Sequence, residues 1–342
     1  MLEPDMPGDA AVIKEIRELL GKDRVLVAYR WAPDQFLAAV MVADHVISSG
    51  GEAGFYAFAD HRVDMSLVAR LASESRRYDS LILLGPGWRG PEIDLLASNV
   101  LAPVAVIDNA YNRLPPRRPN VLYFNPSPRG DPRGVWPSIT FLLGTILGEA
   151  TSLLVASSIV ALLGRRSIAV RAYQNSMAAN GLSHIEDYGL VEECALRAAG
   201  LTASGNPGTM AGAALSVAEA SHGDLCRALL DDALLATHAG ILEAWLEEYE
   251  PARLVEGLAD GDTLRMIVSR NSAFSLGSLA AAGGGGSWCL WDARRSSIIP
   301  LAREAFRSGL AGYAVHQGLV NYACVSGRGA DEWARRAVES PM

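Results

Sequence analysis

Between residues 24 and 125 short apolar runs of strand type alternate with stretches of helical period, and this alternation constrains the fold more than any other feature. The first run, RVLVAY (24–29), precedes a stretch over 34–49 whose apolar residues repeat at helical spacing until Gly50-Gly51 stops them. GFYAF (54–58) precedes an amphipathic helix over 63–75, and SLILL (80–84) ends in Gly85-Pro86-Gly87. A short helix over 91–99 leads to VAVID (104–108), and VLYFN (121–125) reads as a fifth strand. Strands separated by helices cannot pair through tight turns. They predict an α/β fold built on a doubly wound, mostly parallel sheet with both faces covered.

Beyond Pro137 the pattern changes. To about Tyr249 nearly everything reads as Ala- and Leu-rich helix, with a Gly/Pro-marked loop at 205–208. Strands return near Gly261, at 264–269, 287–291 and 319–325, alternating with helices near 278–282, 298–308 and 331–338. The glycine run 283–286 separates a helix from a strand. The expected organisation is an α/β domain over 1–170, a helical linker region over 171–250 and a second, smaller α/β domain over 251–342.

Composition narrows the function. A chain of 342 residues, half of them hydrophobic, builds its core without disulfide or metal staples. A net charge of -8 argues against a protein coated in basic charge for duplex DNA, although a local basic groove stays open. Cys194, Cys226, Cys289 and Cys324 form no CxxC pair, which excludes a zinc ribbon and favours a reduced, cytosolic setting. The acidic start MLEPDMPGDA has no apolar h-region, so no secretory signal is expected. The apolar run over 141–163 is broken by Gly144, Glu149 and Ser157 and reads as a buried helix pair, not a membrane span.

Other site types find little support. The six histidines show no HxxH or HxxxH spacing, and the glycine run lacks both GxGxxG and a P-loop lysine. Ser138 sits at a helix N-cap and not in a GxSxG elbow. Tryptophans such as Trp136, Trp245, Trp288, Trp291 and Trp333 suit stacking on single-stranded bases, core packing or a protein interface.

Ligands of doubly wound sheets bind beyond the carboxyl ends of the strands. Those positions carry Arg30-Trp31-Ala32-Pro33-Asp34-Gln35-Phe36, then Gly85-Pro86-Gly87, then Asp108-Asn109-Ala110. Asn125-Pro126-Ser127 follows, ahead of a helix near Pro137-Ser138. This order resembles the DHH phosphoesterase superfamily and its RecJ-like branch, over roughly residues 20–170 and more loosely in the C-terminal domain. In that family the first loop reads H-x-N-P-D-x-D, the third strand ends in aspartate and the fourth in D-H-H. An N-P step, a serine-headed helix and a last aspartate follow. Those side chains hold two Mn²⁺ ions that generate hydroxide and clamp a phosphodiester.

Measured against that pattern, the chain departs at most ligand positions. Arg30 stands in place of the histidine, Phe36 in place of the second aspartate and Gly85 in place of the aspartate after strand three. Asn109 and Ala110 replace both histidines of D-H-H, and nothing acidic lies near Ile168, where the last aspartate is due. Asp34 and Asp108 alone match. Two carboxylates cannot fill two octahedral shells, and an arginine places fixed positive charge where a cation would sit. The expectation is no metal, no cofactor and no hydrolysis. Arg30 either bridges Asp34 and Asp108 in an ion cluster filling the degenerate metal site or points to solvent.

The resemblance extends to a C-terminal S-x-R step that grips nucleic-acid phosphate together with a GGGH loop. Ser326-Gly327-Arg328 matches the first part, and no GGGH follows through Met342. Ser326 and Arg328 are therefore either half of a nucleic-acid contact or ordinary surface residues.

A nuclease scaffold stripped of its metal ligands implies a binding protein. The RecJ-like family contains such a branch, the cell-division-cycle-45 type, and the short two-domain layout looks like its archaeal forms. The resemblance implies a non-catalytic DNA replication subunit that binds GINS, supports the MCM helicase through it and contacts single-stranded DNA. The expected setting is the cytoplasm beside the nucleoid, with no membrane. Two rivals stand. One is a divergent metal-dependent DHH phosphoesterase or single-strand exonuclease with relocated ligands at Asp60, His61 and Asp64. The other is a single-strand-binding module with no fixed protein partner.

Overall fold

The computed structural model describes residues 7–30, 32–58, 63–108, 115–125, 138–148, 188–204 and 206–248, together with the backbone of six further strands between 253 and 326. The first unit begins with α1 (Pro7–Leu20) and β1 (Arg24–Arg30). It continues through α2 (Pro33–Ser48), β2 (Glu52–Phe58), α3 (Met65–Ser75), β3 (Ser80–Leu84) and α4 (Gly90–Ala97). β4 (Val104–Ile107), β5 (Val121–Phe124) and α5 (Ile139–Leu147) complete it. Each of the five expected strands is present within two residues of its predicted start.

All pairings in this sheet are parallel, in the order β2-β1-β3-β4-β5. The chain leaves β1 for one edge and, after β2, returns to build toward the other. The two loops leaving the carboxyl ends of β1 and β3 therefore diverge and open a crevice, as doubly wound sheets do at their switch point.

Alternation along the strands decides which face each side chain covers. Val25, Val27, Tyr29, Ile82 and Leu84 point to one layer, Leu26, Ala28, Leu81, Leu83 and Val106 to the other. The second layer is α3 and α4, with Trp88 stacked against Phe58. The first layer holds α1, α2 and α5, and it continues into the helical middle. There α6 (Tyr188–Ser204), α7 (Pro207–Ala220), α8 (Leu225–Asp231) and α9 (Ala233–Glu248) follow one another. Cys194, Ala198, Met210, Ala213 and Val217 from these helices share one hydrophobic cluster with Val27 and Phe36. α2 lies inside that layer and is buried without a break from Pro33 to Ala43. Its sequence, PDQFLAAVMVADHVIS, is apolar on nearly every side, as a helix covered on every side must be.

A second sheet has the order β10-β11-β9-β8-β7-β6 and mixed direction. Its strands are β6 (Arg253–Glu256), β7 (Thr263–Ser269), β8 (Ser287–Asp292), β9 (Ser297–Pro300), β10 (Ala314–Gln317) and β11 (Ala323–Ser326). β7 and β8 run parallel; the other neighbours are antiparallel. One expectation is overturned here: residues 297–300 form a strand, not the start of a helix over 298–308. A short apolar pair such as Ile298-Ile299 carries no period of its own, and its pairing with β8 and β11 decides its state. β6 and β10 were not legible for the same reason. The loop expected at 205–208 is shorter, because Pro207 and Gly208 open α7 behind the N-cap Asn206. The expected helices at 278–282 and 331–338 lie outside the described residues. So does the second half of the apolar run over 141–163; its first half is α5, which ends at Gly148 with φ of 75°.

Among the described residues, no helix is long and apolar enough to cross a membrane.

Candidate functional site

The residues singled out in the sequence gather at the carboxyl ends of β1, β3 and β4. Arg30 closes β1, Asp34 is the second residue of α2, Gly85 follows β3 and Asp108 follows β4. Asn109 and Ala110 lie outside the described residues, as do Asp60, His61 and Arg328. Ser326 ends β11 in the second sheet. Asp64 is the N-cap of α3 and accepts the Leu67 N–H at 2.7 Å.

Asp34 is fully buried, and both of its carboxylate oxygens are engaged. Oδ2 accepts the Ile139 N–H at 2.8 Å; Oδ1 accepts the Thr140 N–H at 3.0 Å and the Thr140 hydroxyl at 2.8 Å. These are the leading N–H groups of α5. The next one, Phe141 N–H, donates to Ser138 Oγ at 3.0 Å. A helix start leaves its leading N–H groups without partners inside the helix, and here two side chains supply them. The N-terminus of α5 is thus filled by a carboxylate of the protein itself.

Burial pushes the Asp34 carboxyl up from its ordinary value to about 6. The hydrogen bonds from Thr140 and Ile139 and the positive charge of Arg30 pull the other way without cancelling the loss of water. Arg30 is only 5 % exposed, so it does not point to solvent. Asp108 is fully buried as well; its Oδ2 accepts the Gly87 N–H at 3.2 Å, and its own N–H donates to the Phe124 carbonyl at 3.0 Å.

The residue that sequence reasoning missed is Gln35. It is 1 % exposed, and among the described residues neither its amide oxygen nor its amide nitrogen has a hydrogen-bond partner. Its side chain lies over Gly85. A Cβ placed on Gly85 would stand 2.4 Å from Gln35 Nε2 and 2.9 Å from Gln35 Cγ. Gly85 also has φ of 56°, in the left-handed region where a side chain is strained. The available signal was a lone amide at the third position of a helix otherwise apolar down most of its length.

Among the described residues, the donor set does not fit a pair of manganese ions. Both oxygens of Asp34 are committed to α5, Gly85 brings no ligand atom, and the Gln35 amide occupies the space that a side chain at 85 would need. Among the described residues, no group of three or more His, Cys, Asp and Glu side chains is placed to hold a metal ion.

No protein-family model matches the sequence, and no curated protein matches it. Solved structures do. RecJ from Thermus thermophilus in complex with Mn²⁺ superposes with a TM-score of 0.55 at 16% identity, covering 99% of this chain and 55% of that one. This chain therefore spans about half the length of that protein. An exonuclease RecJ bound to manganese gives a TM-score of 0.49 at 16% identity, covering 98% of this chain and 94% of the other. CDC45 from Entamoeba histolytica gives 0.46 at 8% identity, covering 96% and 98%. The first likeness defines the class at the level of the fold: the chain has the RecJ-type α/β architecture of the DHH proteins.

Proposed function

We propose that this chain is a non-catalytic RecJ-type subunit of DNA replication, of the archaeal cell-division-cycle-45 kind. In this reading it binds GINS, supports the MCM helicase through GINS and contacts displaced single-stranded DNA. The observation that carries the non-catalytic part is the engagement of Asp34. Asp34 spends three of its roughly four acceptor positions on α5, which leaves it at most one for a cation and ties it first to the start of that helix. The replacement of further ligand positions by Arg30, Phe36, Gly85 and the Asn109-Ala110 pair supports it. The replication role rests on the sequence resemblance and on a net charge that suits protein partners better than autonomous DNA binding.

The test has two arms. The purified full-length chain is incubated with Mn²⁺ and an end-labelled single-stranded oligonucleotide, beside its Asp34→Asn variant. The expected result is no cleavage by either; manganese-dependent cleavage by the parent, lost in the variant, overturns the non-catalytic reading. Affinity purification from the native cell is expected to recover GINS subunits. Recovery of the chain alone overturns the replication role and leaves the first arm standing.

A further inference from the structure

Away from the candidate site, two thiols meet between helices. Cys194 lies in the first half of α6, and Cys226 lies in the first turn of α8. They are 1 % and 7 % exposed, and neither is held in a disulfide. The Cys194 thiol is directed at the Cys226 carbonyl oxygen, 3.8 Å away across 32 positions of sequence, which brings one cysteine's sulfur against the other cysteine's backbone. Packing alone does not require this. Small apolar residues such as Ala195, Ala198 and Ala228 are buried on the same two helices without sulfur. A thiol that reaches the backbone of a second buried cysteine on a neighbouring helix leaves the two side chains a short rotation from one another, and a disulfide needs that closeness.

We propose that Cys194 and Cys226 form a reversible disulfide between α6 and α8, made by exchange with a low-molecular-weight disulfide. The Cys226 sulfur attacks that disulfide, forming a mixed disulfide and releasing one small thiol. The Cys194 sulfur then displaces the second small thiol and closes the Cys194–Cys226 bond. One disulfide is consumed and one formed, and the two cysteine protons leave on the two released thiols.

The order of attack follows from access. Cys226 is the more exposed thiol, and its neighbours Asp224, Arg227 and Ala228 line an open cavity of about 580 Å³. The Cys194 thiol beside it and burial both hold the Cys226 thiol well above the usual range, so little thiolate exists and the exchange is slow. The bond would fasten a helix that packs on both α7 and α2, the helix carrying Asp34 and Gln35.

The experiment treats the folded full-length chain with oxidised glutathione and maps the product by digestion and mass spectrometry. The expected product has lost two hydrogen atoms, carries the 194 and 226 peptides joined and reverts with dithiothreitol. It melts roughly 5 °C above the reduced form, as closing a loop of this size does. The same link is expected in a Cys289→Ser/Cys324→Ser double variant, which leaves this contact untouched. Cysteines 194 and 226 remaining reduced, stopping at a glutathione adduct, or pairing with Cys289 or Cys324 would each overturn the proposal. Mapping on the unsubstituted chain decides the matter without any variant having to fold.

Discussion

The carboxylate of Asp34 holds the N–H groups of Ile139 and Thr140, joining the start of α2 to the start of α5 across 105 positions of sequence. The joint is wholly buried, so its energetics follow from hydrogen bonds that water cannot replace.

Removing the carboxylate strands two backbone donors and leaves the Thr140 hydroxyl with the Asp34 backbone carbonyl, 3.1 Å away. Asp34→Ala is expected to cost about 2–3 kcal/mol at pH 5, and Thr140→Val about 1 kcal/mol, because the latter loses only the hydroxyl. Chemical denaturation measures both. A loss under about 0.5 kcal/mol for Asp34→Ala would mean that the helix start finds other acceptors.

The same carboxyl gives stability a pH dependence of definite sign. Its folded value of about 6 lies above its unfolded value, so the native state binds the proton more tightly. The stabilisation is complete below about pH 4 and is lost as pH rises through about 6. The difference in stability between the parent and Asp34→Asn should fall by about 3 kcal/mol between about pH 4 and pH 8. Denaturation midpoints of the two proteins across that range give the difference directly. A difference that stays flat, or that grows with pH, contradicts the burial argument.

Gly85 and Gln35 share one space. Gly85→Ala adds a side chain in a left-handed backbone and presses it on the Gln35 amide, which together should cost about 2–4 kcal/mol. In a Gln35→Ala background the backbone part and a tight contact with Ile139 Cγ1 at 3.0 Å remain. A double-mutant cycle is expected to return a coupling of at least about 1 kcal/mol. Additive effects would show that the two residues are not in competition.

The Gln35 amide itself is predicted to be a burden on stability. Gln35→Met keeps the shape and removes two polar atoms that have no partner among the described residues, so it should be neutral or stabilise by about 1–2 kcal/mol. Destabilisation of that size would instead show that the amide is held by a partner.

The first sheet was legible because its central strands are buried on both faces and read as unbroken apolar runs, SLILL and VAVI being the plainest. The second sheet was legible only in part. β6, β9 and β10 are four-residue strands, too short to show a period, and long-range pairing fixes them. α1 escaped as well: its sequence PGDAAVIKEIRELL is amphipathic, but Pro7, Gly8 and Asp9 give its first turn the look of a loop. At the site, the positions of Arg30, Asp34, Gly85 and Asp108 followed from the strand ends. What Asp34 does there could not be read, since the donors it satisfies come from a helix that opens at Ile139. Gln35 escaped for a related reason: its unpartnered amide is a property of the packed core, and no local pattern in the sequence announces it.

The bond between Asp34 and α5 also bears on where this chain can be cut. A fragment ending after β5 would contain every strand of the first sheet, yet it would lose both the donors of the Asp34 carboxyl and the apolar face of α5 that covers α2. Truncation series aimed at an isolated N-terminal unit should therefore extend through Leu147, and a split of the gene between β5 and α5 should yield two insoluble halves that recover only when expressed together.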